Sequence, residues 1–425
     1  MDKSSITYYE DGIQKIPLKE RMKQVGPNMI LTGIVIGPGA LTTAAMLGSK
    51  YGYQLVWLFF LIAFMGITFV LTTNHISLMT GMPILHAIRK YYGKFAASFV
   101  GVALFISCMF FTIGNVSGTG AGMNLLFGID WKLGAAIMIA LILSIYFSKN
   151  VYSKVEKFAT FCVLGMIVAF YITLVGSGGP NWSDFGKGLV TPSFPEGSQG
   201  AALGFISTNA AVTTGIYATY LGIEKKWKKE DLFNGVIKTD SIMHLVGVIA
   251  ISMAIMLVGA IVLHPKGITI KSPSELGDML VPVLGNAAKY VMGIALLGAA
   301  FSSLLGNTQR SVVLLNAGFD KPTSLEDKSI RIGSILVLLL GVIIAFSYGG
   351  SPTQLILIAN ISTSIATPVA GLFLCLMICR KDVNEGIRPP RFLQVAMIIS
   401  YIIVLVITFS ALSKQIPNFL KSLGL

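Results

Sequence analysis

Apolar residues fall along this chain in eleven long runs, near 27–47, 53–79, 96–118, 133–148, 156–176, 200–222, 240–263, 283–312, 331–348, 353–379 and 393–412, with polar residues gathered between them. A helix of about 20 apolar residues crosses the roughly 30 Å hydrocarbon core of a bilayer. The runs therefore predict eleven membrane-crossing helices, the fourth a short one.

Two runs are interrupted. The first, Leu31 to Leu47, reads LTGIVIGPGALTTAAML and is broken by Gly37, Pro38 and Gly39. Proline lacks a backbone donor and clashes with the preceding turn, and glycine weakens a helix further, so the ladder is expected to open there. The sixth, Gly200 to Gly222, reads GAALGFISTNAAVTTGIYATYLG and crowds Ser, Thr, Asn and Gly into its middle. Backbone groups freed inside a membrane are tolerated only where protein or a watery cavity satisfies them. One break alone could be a passive kink. Two breaks five spans apart, in corresponding positions of two halves, point to an inverted-repeat transporter with its site at the membrane midplane.

Composition agrees with the pattern. With 54% hydrophobic and 12% charged residues among 425, and a mean hydropathy of +0.76, the chain reads as a polytopic membrane protein. Its net charge of +13 reports orientation more than a nucleic-acid partner. If the N-terminus is cytoplasmic, the inner segments hold Lys15, Lys19, Arg21, Lys23, Arg89, Lys90, Lys94, Lys149, Lys154, Lys157, Lys225, Lys226, Lys228 and Lys229. They go on to hold Arg310, Lys321, Lys328, Arg331, Arg380, Lys381, Arg388 and Arg391, and the C-terminus is then outside. The KKWKK run reads as a solvated loop. Met1 to Lys23 is polar and of mixed charge, so no cleaved signal peptide is expected. Cys108, Cys162, Cys375 and Cys379 all lie in apolar runs and read as core. No HExxH, P-loop, nucleophile elbow or pair of catalytic carboxylates is present, so an enzyme is not expected.

The run GPNMILTGIVIGPGALTTAAMLGSKYGYQLVW, Gly26 to Trp57, resembles the first-helix region of the NRAMP divalent-metal transporters. NLLFGI (Asn124 to Ile129), the Asp240-Ser241 pair, the segment ending at His264, PVLGNAAKYVMGIALLGAAFSS (Pro282 to Ser303) and the span from Pro352 to Cys379 resemble the same family. The resemblance implies an all-α, LeuT-type fold of two inverted five-helix repeats with an eleventh transmembrane helix. On that plan 1–25 is a cytoplasmic tail, 26–176 the first repeat and 177–199 an extracytoplasmic connector, a Gly, Ser and Pro-rich loop. Residues 200–379 then form the second repeat, and 380–425 the eleventh helix and C-terminal tail. The expected location is the plasma membrane of a bacterium.

The chain departs from the family at the metal site. Where the family has Asp-Pro-Gly-Asn, this chain has Gly37-Pro38-Gly39-Ala40, and the sixth-helix Met-Pro-His-Asn aligns with Val212-Thr213-Thr214-Gly215. The third-helix acids appear as Thr112 and Asn115, the second sixth-helix histidine as Thr219, and the eighth-helix glutamine as Phe301. Dications are normally held by carboxylate, imidazole or thiolate ligands. Even one unpaired charge at a helix centre costs about 2.5–3.5 kcal/mol on insertion scales.

What the breaks offer suits an anion. Each half-helix that begins at a break presents unpaired N–H groups and about half a positive charge. The expected substrate is a small organic anion or amino-acid-like carboxylate, held by Gly37, Gly39, Ala40, Thr43, Asn209, Thr213, Thr214 and Gly215, with the Thr42 hydroxyl nearby. Intrahelical back-bonding is the alternative role for each threonine. Ser302 and Ser303 resemble the hydroxyl pair that holds sodium opposite first-helix carbonyls in LeuT-type transporters, and close helix packing is their alternative role. Na+ or H+ is the candidate coupling ion, with no other cofactor and no bound metal. Other polar groups in or near the spans are His75, His86, Asp240, His244, Asn74, Asn115 and Asn360, with a structural role for Asp240 at least as natural as a functional one. The competing readings are a divalent-metal (Mn, Fe or Mg) transporter of the same family, and a non-transporting membrane sensor.

Overall fold

A computed structural model describes residues 15–146, 164–165, 167–270, 273–349, 352–384 and 389–422. The chemistry at 36–38 decides where the first span breaks. Helix α1 (Leu18–Gln24) precedes α2 (Pro27–Val35), which ends at Ile36 with φ −81° and ψ 77°. Gly37 is extended, at φ −107° and ψ 177°, and α3 (Pro38–Tyr51) begins with proline at its first helical position. There the missing N–H costs nothing and the fixed φ suits the helix.

The sixth span breaks without proline. Helix α9 (Gln199–Asn209) stops at Ala210, with φ −120° and ψ 46°, and α10 (Val212–Glu224) restarts after an extended Ala211. The Thr208 hydroxyl donates to the Gly204 carbonyl at 2.7 Å and Asn209 Nδ2 to the Phe205 carbonyl at 2.8 Å. Such back-bonding competes with the backbone ladder and bends helices.

The other spans are α4 (Leu58–Thr80), α5 (Ile84–Phe127), α6 (Trp131–Tyr146), α7 (Ile167–Gly176) and α11 (Val236–Val258). After the four-residue α12 (Val281–Leu284) come α13 (Ala288–Gly318), α14 (Lys328–Ser347), the pair α15 (Pro352–Ser362) and α16 (Ala366–Cys379), and α17 (Arg391–Ser422). Gly93, at φ +89°, divides α5 into a short leading segment and the span proper. All eleven expected runs thus contain helix, although much of the fifth, including Lys157 and Cys162, lies outside the described residues, as do Lys149, Lys154 and Arg388. The connector expected to be a loop contains a further helix, α8 (Trp182–Val190). Asn181 starts it, its Oδ1 accepting the N–H groups of Ser183 and Asp184 at 3.1 and 3.3 Å.

The two broken spans lie side by side in the middle of the bundle. α3 packs on α9, α2 on α10, and α4, α5, α11, α13 and α15 close around them. Pro38 nests against Gly118 of α5, where a Cβ would fall 2.0 Å from the proline ring. One charge is not where the loop reading put it. Arg310 belongs to no cytoplasmic segment: it lies within α13 and is 1% exposed.

Candidate functional site

Breaking the ladder at Gly37 frees two carbonyls at the end of α2. The Ile34 oxygen would ordinarily receive the amide of residue 38, which is proline, and the Gly37 N–H turns to the Val35 oxygen at 2.9 Å, leaving the Gly33 oxygen open. Side chains of α13 fill both places. The Ser302 hydroxyl donates to the Gly33 carbonyl at 3.2 Å, and the Ser303 hydroxyl and Asn307 Nδ2 donate to the Ile34 carbonyl at 2.8 and 3.2 Å. The expected pairing of these serines with first-helix carbonyls is therefore present, with the serines as donors.

From Ser303 the network runs in two directions. Asn115 Nδ2 of α5 donates to its oxygen at 2.6 Å, and Asn307 Nδ2 does so at 3.0 Å. Asn307 Oδ1 in turn accepts a short hydrogen bond from Arg310 Nη2. Ser303, Asn307 and Arg310 are spaced by four and three residues and so share one face of α13. Arg310 Nη1 donates to the Thr214 hydroxyl at 3.4 Å, in the first turn of α10, so the guanidinium joins the two broken spans. Its Cζ lies 5.8 Å from the Phe111 ring centroid, with the Cys108 thiol beside the guanidinium. Among the described residues no carboxylate lies within 4.0 Å of it, and its buried Nε has no partner. Asn115 Oδ1 is likewise buried and unpartnered.

The predicted substrate residues divide between this network and others. Gly37 faces it, a Cβ there falling 2.5 Å from Asn115 Oδ1 and 2.6 Å from the Ser303 hydroxyl. Thr214 belongs to it through Arg310. Gly39 and Thr43 form a second cluster with Asn360 of α15, whose Nδ2 donates to the Gly39 carbonyl at 3.1 Å and to the Thr43 hydroxyl at 2.8 Å. Thr43 also back-bonds to Gly39 at 2.9 Å. Asn209 is tied down away from the gap, its Oδ1 accepting from the Ser252 hydroxyl at 2.8 Å. Gly215 is a packing glycine, with the Phe69 carbonyl and the Thr73 hydroxyl each 3.0 Å from where its Cβ would be. Ala40 and Thr213 are buried in the first turns of α3 and α10, and Thr42 Oγ1 is buried without a partner.

The remaining ionisable candidates hold the scaffold. Asp240 accepts the Gly26 and Asn28 N–H groups at 2.8 and 3.0 Å, capping α2 from α11, and His244 Nδ1 pairs with the Thr32 hydroxyl at 2.8 Å. His75 bonds Asn384 at 3.0 Å and His86 lies 3.4 Å from the Tyr220 hydroxyl, while Asn74 back-bonds to Val70 at 2.9 Å. Arg310 and Asn307 are the members that sequence reasoning missed. The signal was available, because the run 283–312 contains Arg310 and an ionisable residue inside a span is a functional candidate by default.

Two broken helices facing one another, with the eighth span bonded to the carbonyls of the first, match a known arrangement. A model of the natural resistance-associated macrophage protein-like family matches residues 28–414. The chain belongs to the Nramp family. It is accordingly a membrane transporter and not an enzyme. A crystal structure of the Eremococcus coleocola manganese transporter is similar at a TM-score of 0.75 and 15% identity, over 99% of this chain and 92% of that one. Mhp1, a nucleobase-cation-symport-1 family transporter, is similar at 0.58 and 15%, over 92% and 93% of the two chains. MhsT, solved in complex with L-phenylalanine, is similar at 0.59 and 15%, over 90% and 98%. The fold is thus the expected LeuT-type architecture. Seven described helices of this Nramp member are long and apolar enough to cross a membrane by length and composition alone.

Proposed function

We propose that this Nramp member is a secondary transporter, working by alternating access, whose cargo is a small organic anion such as an amino-acid-like carboxylate. The observation that carries the reading is Arg310: a buried guanidinium bonded to the first turn of a half-helix, with no carboxylate partner among the described residues and an unpartnered Nε. A buried charge left without its partner typically costs about 3–5 kcal/mol, which an arriving carboxylate offsets by charge-assisted bonding. The half-helix N-termini of α3 and α10 add positive potential at the same gaps. The Ser303 hydroxyl and the Asn115 amide beside Gly37 are engaged within the protein, so the donor open to an acceptor-rich ligand is the unpartnered Arg310 Nε. The protein is an integral membrane protein; for its setting we favour a bacterial plasma membrane, with the N-terminus cytoplasmic and the C-terminus outside.

The divalent-metal reading draws on family membership and on likeness to a manganese transporter. It requires a dication to settle near an unneutralised guanidinium, with carbonyls and retained water as ligands. Thermal stabilisation of the purified protein against small carboxylates, amino acids, Mn2+ and Mg2+ separates the two. A ligand at 100 times its dissociation constant adds about 2.7 kcal/mol to the stability of the state that binds it. Saturable stabilisation by a carboxylate and none by the dications is the expected result, and the reverse transfers the assignment to metal. Uptake into vesicles containing only this protein excludes the sensor.

A further inference from the structure

The carbonyls of Gly33 and Ile34, at the C-terminal end of a broken helix, are groups of the kind that coordinate a coupling cation in transporters of this architecture. In this chain their neighbours are arranged the other way round. Arginine carries five N–H donors and no acceptor. Because Arg310 Nη2 bonds Asn307 Oδ1, the Asn307 amide has its oxygen toward the guanidinium and its nitrogen toward α2. That nitrogen bonds back to the Ser303 carbonyl at 2.8 Å and shares its second N–H between the Ser303 hydroxyl oxygen at 3.0 Å and the Ile34 carbonyl at 3.2 Å, and Asn115 donates to the same hydroxyl oxygen at 2.6 Å. The Ser303 oxygen thus accepts from Asn115 and from the shared Asn307 N–H, and its own proton goes to Ile34 at 2.8 Å. The Ile34 carbonyl thus faces the Ser303 proton and the Asn307 amide, and the lone pairs of the hydroxyl beside it are turned to N–H donors rather than to a metal ion.

We infer that Arg310, acting through Asn307, substitutes for a coupling cation at the Ile34 carbonyl, so that the transporter carries its anion without co-transported sodium. The guanidinium is a permanent positive charge one amide away from the Ile34 oxygen, and it balances the charge of a carboxylate cargo by itself. A sodium ion arriving at the Ile34 carbonyl meets like charge and two hydrogen-bond donors, with Asn115 Oδ1 and the Gly33 carbonyl as the nearby acceptors set against that charge. The inference deepens the anion reading and rests on it for the charge of the cargo, but its sodium measurement needs no cargo.

The test is sodium binding to the purified, substrate-free protein, read as thermal stabilisation on titration with NaCl against N-methylglucamine chloride at equal ionic strength. No sodium-specific shift is expected of the native chain, and a saturable one overturns the inference whatever the cargo proves to be. Arg310→Met removes the charge and releases Asn307, and is expected to gain a sodium-specific shift. Asn307→Asp sets a carboxylate against the guanidinium and is expected to gain one too, so it serves where Arg310→Met does not fold. A folded variant that gains no such shift removes Arg310 from this role. A carboxylate that stabilises the native chain with an apparent affinity unchanged within about twofold between the two salts supports the inference, whereas one that needs sodium by roughly tenfold or more refutes it. If no carboxylate stabilises the chain in either salt, the anion reading fails while the sodium titration still decides this one.

Discussion

A Cβ placed on Gly37 lies 2.5 Å from Asn115 Oδ1, so the glycine of the first span and the asparagine of the third fit together because one of them has no side chain. Gly37→Ala is therefore expected to destabilise the protein by about 1–3 kcal/mol through overpacking. The pair Gly37→Ala with Asn115→Ala recovers part of that loss, with a coupling energy of about 0.5–3 kcal/mol in a double-mutant cycle of thermal melts. Gly37→Asp alone is expected to give no Mn2+ stabilisation, because the new carboxylate has no room. Additivity of the two alanine variants would show that the contact is slack.

Arg310 is the residue on which the cargo assignment turns. Arg310→Met is expected to weaken carboxylate binding by about 10- to 100-fold, the equivalent of about 1.4–2.8 kcal/mol, as fits loss of a charge-assisted hydrogen bond. Arg310→Lys keeps the charge without the planar fork and is expected to fall between the two. Isothermal titration with the stabilising carboxylate measures both, and equal affinity in all three proteins places the cargo elsewhere.

The spans were legible because a membrane helix must be apolar over its length, and the first break because proline and glycine act locally. The sixth break was legible from its polar crowding, although the turn itself falls at Ala210 and Ala211, where Thr208 and Asn209 back-bond instead of facing a ligand. Gly215 reads as a ligand-approach glycine in the sequence and serves α4 in the structure, since what a glycine accommodates depends on a neighbour far away in the chain. Arg310 was misplaced for the converse reason. Counting loop charges takes the ends of spans from hydropathy, and a basic residue near the end of a run is assigned to the loop unless its partners are seen. Asn307 gave no signal of its own, because its role follows from Arg310 on one side and the open carbonyl of Ile34 on the other.

Asp240 is expected to act on stability rather than on cargo. Its two oxygens accept the Gly26 and Asn28 N–H groups at the start of α2. Asp240→Ala removes a helix cap and is expected to cost about 1–2 kcal/mol, and Asp240→Asn, which keeps one acceptor, less. Carboxylate affinity measured on the folded fraction is expected to stay within about twofold of native. A large loss of affinity with an unchanged melting temperature would move Asp240 into the transport machinery.

Ser302 and Ser303 separate a sodium site from a hydrogen-bonded one. Were they twin cation ligands, alanine at either position would impair a sodium response to a similar degree. The observed bonds are unequal: Ser302 is half-buried with a single 3.2 Å bond, whereas Ser303 is fully buried, donates to Ile34 at 2.8 Å and accepts from Asn115 and Asn307. Ser303→Ala leaves the Asn115 amide without its acceptor and the Ile34 carbonyl with one donor fewer, at about 1–3 kcal/mol for a group left unsatisfied. Ser302→Ala gives up one long bond at a half-buried position and is expected to cost less than about 1 kcal/mol. Melting the two variants side by side, in sodium and in N-methylglucamine, is expected to give a stability gap in favour of Ser302→Ala that is the same in both salts. A sodium-specific stabilisation of the native chain that both alanine variants lose to a similar degree would restore the pair as ligands of a coupling ion.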